Sequence, residues 1–259
     1  MQIFAALPVY IGGPLFIGVF VAFGILAGLL VHRFVPRAVF EEHNEIAGFM
    51  FAVVGVVYAV LLAFLAIAVW ERYEAAEVRT YDEANQLSVV YRAVDVFPQA
   101  PKIRKDLMRY TTLVINDEWP KMNGSGESSE ANLLLEDIGY DIRHLHANTP
   151  SQQAVLSSLL ENIHSIMVDR DYRISMSSEG INVFVWTILF AGAIGTMLFA
   201  SLFAFKRAGA QVAMTGLLAF SLAIVLYLIS VMDFPFRGEV RIGPEAFVNA
   251  AHTYCDVGC

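Results

Sequence analysis

The chain has 259 residues, of which 57 % are hydrophobic and only 16 % are charged, and its mean hydropathy is positive, so a soluble globular domain, a disordered chain and a fibre are excluded. Its formal net charge is −8, and residues 71–180 carry 11 basic against 18 acidic side chains, which excludes a nucleic-acid surface there. The two cysteines, Cys255 and Cys259, support neither a disulfide framework nor a cysteine metal site.

Four stretches without Asp, Glu, Lys or Arg before their ends, roughly 9–32, 47–69, 181–205 and 210–232, reach the length of about 20 residues that a helix needs to cross a bilayer. The first follows residues without a positive charge and is too long for a signal peptide, so it is expected to be a retained span with Pro14 in its first turn. Segments 33–46 and 206–209 are tight connections, whereas 71–180 is a polar insert. The expected organisation is a first transmembrane hairpin at 1–70, a soluble helical domain at 71–180, a second hairpin at 181–232 and a tail at 233–259.

Within the insert, Ala75, Val78, Leu87, Val90 and Val94 continue the second span as a helical stripe that meets neither Gly nor Pro before Pro98. One helix over about 47–97 is expected, roughly 75 Å long. Further helices are expected at about 101–119, at 130–147 and from Ser151 toward the third span, with Asn123-Gly124-Ser125-Gly126-Glu127-Ser128-Ser129 as the clearest loop. Strand-like alternation is absent, and the fold class is all-α. The basic residues flanking the short connections, Arg33, Arg37, Lys206 and Arg207, vote weakly for an external insert.

Catalytic and metal motifs are wanting. Glu161-Asn162-Ile163-His164 has the Glu-x-x-His spacing of carboxylate-bridged metal sites but no second copy. His144 and His146, two apart, point to different helix faces, and Glu41-Glu42-His43 reads as a solvated turn. With no nucleophile elbow, phosphate loop, dinucleotide fingerprint or His-Glu-x-x-His, neither an enzyme, a bound metal nor a cofactor is expected. The small residues carry a clearer signal: Gly24 and Gly28 in the first span and Gly48, Ala52, Gly55, Ala59 and Ala63 in the second allow close helix approach. Four spans are too few to enclose an aqueous path in one chain, so a pore would lie on the symmetry axis of a homo-oligomeric ring.

At the end of the second span, Trp70-Glu71-Arg72-Tyr73-Glu74 follows Tyr58-Ala59-Val60-Leu61-Leu62-Ala63-Phe64. This resembles the Trp-x-x-Tyr-Glu segment that ends the pore-lining helix of bestrophin anion channels. The chain as a whole is similar to the bestrophin-like domain family of bacterial membrane proteins. His43-Asn44, Arg170-Asp171-Tyr172-Arg173 ahead of a span containing Trp186, and Asp233-Phe234-Pro235-Phe236-Arg237-Gly238-Glu239 add to the resemblance.

The resemblance implies a pentamer in the bacterial inner membrane, among membrane lipids, with a cytoplasmic insert and passive conduction of small inorganic anions such as chloride. Counted back from Trp70, the bestrophin neck positions fall on Ala52, Val56 and Val60, with Phe64 joining them as a pore-lining position. Arg170 and Arg173 are expected to raise the anion concentration at the cytosolic mouth, or else to pair with Asp169, Asp171 or Glu179. The tail resembles the opening of the calcium clasp of animal bestrophins, but Arg237 and Arg241 stand among Asp233, Glu239 and Glu245, so calcium is not expected. The tail is expected to cap the last helix and dock on the helical bundle, and Asp233 to pair with Arg170, Arg173 or Arg237. The alternatives are a cation channel, favoured by the acidic insert, and a non-conducting scaffold or sensor.

Overall fold

The computed structural model describes residues 8–34, 44–203 and 208–258. Arg37, Glu41, Glu42, His43, Lys206, Arg207 and Cys259 lie outside them. Every element among the described residues is helical: α1 Val9–Phe34, α2 Asn44–Ala93, a 3₁₀ turn Val94–Val96, α3 Ala100–Leu113, a π turn Val114–Glu118, α4 Trp119–Met122, α5 Ser129–Arg143, α6 Pro150–Ser178, α7 Val183–Ser201, α8 Ala208–Met232 and α9 Glu245–Gly258. Four of these, α1, α2, α7 and α8, are long and apolar enough to cross a membrane, and the chain is a multi-pass membrane protein. The chain divides into two compact units.

The membrane unit comprises Met1–Arg72, Gly180–Asp233 and Gly238–Val240. Its helices are held by small-residue contacts, because lipid offers no hydrophobic drive for association and close packing must supply it. A Cβ on Gly24 would stand 2.9 Å from the Ala219 Cβ and 3.2 Å from the Met197 Sδ, so α1 meets α8 and α7 at that glycine. Gly28 continues the seam opposite Ser201 and Thr215, and Phe16 packs against Tyr227 with ring centroids 5.8 Å apart. α2 is attached to α7 through Tyr58, whose hydroxyl donates to the Leu189 carbonyl at 2.6 Å and whose ring occupies the space where a Gly192 Cβ would be. Phe51 adds a stack on Phe199, centroids 5.8 Å apart. The span hydroxyls of Thr187, Thr196, Ser201 and Ser221 each donate to the carbonyl four residues back, which satisfies them without a partner helix.

The helical unit comprises Tyr73–Glu179, Phe234–Arg237 and Arg241–Cys259, so the tail is shared between the two units rather than forming a segment of its own. Its core joins Leu87, Val90, Ile103, Leu107, Ile138, Leu159, Ile163, Phe247 and Tyr254. Local chemistry sets the boundaries. Ser128 caps α5 by accepting from the Ala131 N–H, and Thr149 caps α6, whose first position is Pro150. The helix expected over 101–119 is interrupted by the π turn at 114–118. Pro120 has no N–H for the Asn116 carbonyl and its ring would crowd that oxygen, so the ladder widens instead, with the Trp119 N–H reaching back to Val114. α6 stops at Ser178 rather than entering the third span, since Glu179 is extended and Asn182 starts α7 afresh by accepting from the Phe184 N–H.

Candidate functional site

Two constellations emerge from this scaffold: an outward face on α2 and a buried charge network in the helical unit. In α2 the inward anchors are Tyr58, Leu62 and Val69, exposed by 6 %, 4 % and 3 %. Val56 and Val60 stand two residues from Tyr58, about 200° around the helix, and are exposed by 63 % and 48 %. Phe64 is exposed by 70 %, and Ala52 is exposed on the same stripe. The four positions, spaced by four, form an apolar and uncharged face that the single chain leaves uncovered. The packing glycines have separate fates: Gly24 and Gly28 are used inside the chain, a Cβ on Gly48 would stand 3.7 Å from Phe203 Cε1, and Gly55 has open space before it.

Arg170 and Arg173, expected at an exposed mouth, lie inside the helical unit, exposed by 2 % and 0 %. Arg173 donates through Nε and Nη2 to the two Glu83 oxygens at 2.8 and 3.0 Å, and through Nη2 to Glu118 Oε1 at 2.8 Å. Arg170 donates to Glu118 Oε2 at 2.6 Å and to Asn132 Oδ1 at 2.7 Å. The Tyr110 hydroxyl donates to Glu83 at 2.8 Å, and the Arg173 guanidinium lies over Trp119 and Phe247, 5.1 and 5.3 Å from the ring centroids. Two guanidiniums against two carboxylates leave no net charge to attract an ion, so the mouth assignment is corrected to an internal clasp joining α2, α6 and the π turn. The carboxylates are Glu83 and Glu118, not Asp169, Asp171 or Glu179; Asp169 pairs with Arg79 at 2.8 Å.

Protonation in the clasp follows from this geometry. Burial is the largest influence on Glu83 and raises its pKa against the pull of Arg173. Burial acts on Glu118 too, but the guanidiniums of Arg173 and Arg170 outweigh it and hold its carboxyl below the usual range. Tyr110, buried beside Glu83, is pushed well above the ordinary phenol value.

Asp233, at the end of α8, accepts from the Ile181 N–H at 2.6 Å and from the Trp186 indole at 3.3 Å, rather than from Arg170, Arg173 or Arg237. It thereby ties the start of α7 to the end of α8. In the tail, Phe247, Ala250 and Tyr254 of α9 enter the helical core, and the Trp119 indole donates to the Ile242 carbonyl at 3.3 Å. Among the described residues no three His, Cys, Asp or Glu side chains stand together as a metal would need; the His144 ring lies against Tyr140, centroids 4.0 Å apart.

Glu83, Tyr110 and Glu118 are the site residues that sequence reasoning passed over. One signal was present: Glu83 interrupts the buried stripe of Ala76, Thr80, Ala84, Leu87 and Val90, and a carboxylate on such a face demands a partner.

The comparisons with known proteins agree with this architecture. A family model described as the Bestrophin-like domain matches residues 18–247. Structures of a bacterial bestrophin homologue from Klebsiella pneumoniae are similar in fold: one superposes with a TM-score of 0.69 at 11 % identity, covering 93 % of this chain and 98 % of that one. A second gives 0.68 at 12 % identity over 94 % and 99 %, and a third 0.67 at 12 % identity over 93 % and 97 %. Among curated proteins none matches the chain. With the family model running from within α1 through the helical insert and the second hairpin to the start of α9, the chain belongs to the Bestrophin-like domain family.

Proposed function

We propose that the chain assembles with copies of itself into a symmetric ring, a pentamer, around the second span, and that this ring conducts small anions passively. The observation that carries the reading is the uncovered, uncharged face of α2 at Ala52, Val56, Val60 and Phe64, opposite the Tyr58 and Leu62 anchor. A ring of such faces makes a narrow apolar constriction, which gates by wetting and dewetting. Family membership supports the channel architecture, and the likeness to bestrophin anion channels supports the anion. In this reading the insert is cytoplasmic, the membrane is the bacterial inner membrane, and Arg170 and Arg173 brace the helical unit instead of facing the ion.

One observation favours a second reading. The apolar face does not choose the sign of the ion, and the excess of 18 acidic over 11 basic residues in 71–180 favours cations at that end. The test is the reversal potential of the purified protein in a planar bilayer under a potassium chloride gradient, with an empty-detergent control. A value near the chloride potential is expected; one near the potassium potential keeps the ring and overturns the selectivity. Reproducible silence overturns conduction and leaves a scaffold. For orientation, cysteine at the exposed Asn123, with Cys255 and Cys259 changed to serine, is expected to resist an impermeant thiol reagent in intact cells.

A further inference from the structure

The segment after the last span carries a cation, Arg237, with no counter-ion among the described residues. Arg237 donates through Nη2 to the Ser177 carbonyl at 2.6 Å and to the Ser125 hydroxyl, and its guanidinium lies over the Phe234 ring, 4.5 Å from the centroid. Its Nε–H is buried with no acceptor. Among the described residues no carboxylate stands within ion-pair distance of it, in contrast to Arg79, Arg104, Arg170 and Arg173. Burial lowers its pKa with no charged neighbour acting against that effect.

A half-buried guanidinium held only by neutral oxygens is pre-oriented and short of negative charge. Ser125 is exposed on the 123–129 loop with φ at 65°. Because its oxygen accepts from the arginine, its own O–H remains as a second donor beside the guanidinium. A fork of guanidinium and hydroxyl suits the several oxygens of a phosphate better than a spherical halide. Along the chain Arg237 is close to the last span: α8 ends at Met232, five residues earlier, and the three residues that follow, Gly238–Val240, belong to the membrane unit, where Glu239 accepts from the Val9 N–H at the start of α1.

We propose that Arg237 and Ser125 form a recognition point for a phosphate group, the headgroup phosphate of an anionic membrane lipid. The assignment rests on membrane insertion and is independent of conduction. The clearest variant is Ser125→Asp, which gives the guanidinium an internal counter-ion on an exposed loop and so leaves the fold intact.

The test is native mass spectrometry of the full-length protein in detergent, titrated with phosphatidylglycerol, with diacylglycerol as the phosphate-free control and inorganic phosphate as competitor. Wild-type protein is expected to bind phosphatidylglycerol about ten-fold more tightly than Arg237→Gln or Ser125→Asp, as the loss of a charge-assisted bond implies. Arg237→Lys is expected to retain part of the binding, and diacylglycerol to show no difference. Displacement of the lipid by equimolar inorganic phosphate would overturn the lipid as the source. Equal phosphatidylglycerol binding by wild type and Ser125→Asp would overturn the site itself, and that comparison stands even where Arg237→Gln fails to fold.

Discussion

Arg173 has no contact with solvent and stands among two carboxylates and two aromatic faces, so its removal strands Glu83 in the helical interior with only the Tyr110 hydroxyl and leaves Glu118 to Arg170 alone. Breaking a buried pair from one side costs about 3–5 kcal/mol. Arg173→Ala is expected to lower the unfolding temperature of the helical unit accordingly, read by near-UV circular dichroism of the full-length protein. Arg173→Lys is expected to rescue little, because an ammonium cannot span both oxygens of Glu83 while reaching Glu118. The same network sets an acid limit. Since the folded pKa of Glu118 lies below its ordinary 4.5, the stability it adds is complete above that value and is lost as pH falls through the folded one. Thermal unfolding between about pH 6 and 3 is expected to show this loss, and Glu118→Gln to remove its share of the slope.

At the scale of elements, the attachment of α2 to α7 is narrow and therefore sensitive. Tyr58 supplies both the hydrogen bond to Leu189 and the ring that fills the notch at Gly192. Tyr58→Phe removes only the bond and is expected to cost about 0.6 kcal/mol, at most about 1.7, as interhelical bonds in membranes do. Gly192→Val places branches where the Tyr58 ring already stands, with a Cβ only 2.4 Å from Cε2, and is expected to detach the span. The measurement is the unfolding of each variant in mild detergent, with Tyr58→Phe close to wild type and Gly192→Val well below it. Gly24 behaves likewise toward α8, its Cβ position being 2.9 Å from Ala219.

For the whole molecule, the decisive feature is how little of α2 one chain covers. The span has Val56, Val60 and Phe64 exposed on one side and Gly55 open, and in the proposed ring that side would meet copies of itself and line the central path. If Val60 lines a constriction, Val60→Ala widens it and lowers the dewetting barrier, so single-channel conductance is expected to rise while the reversal potential holds. Unchanged conductance in both Val56→Ala and Val60→Ala would remove these positions from the path.

Hydropathy and helix punctuation determined much of this protein by themselves. Four charge-free runs, a polar insert and the uninterrupted stretch to Pro98 specify the spans, the all-α class and the long second helix, because length, apolar content and the absence of Gly and Pro act locally along the chain. The α1 seam was legible too, as Gly24 and Gly28 on one helix face. The tertiary structure decided which side chains meet. Arg170 and Arg173 read as a basic mouth until Glu83 and Glu118, 90 and 55 residues from Arg173 in sequence, came within 3 Å of it. Asp233 turned from an expected arginine to a backbone N–H and an indole. A charge declares its presence in the sequence, but its partner is fixed by packing, since burial makes the nearest complementary group obligatory and only the folded chain determines which group is nearest.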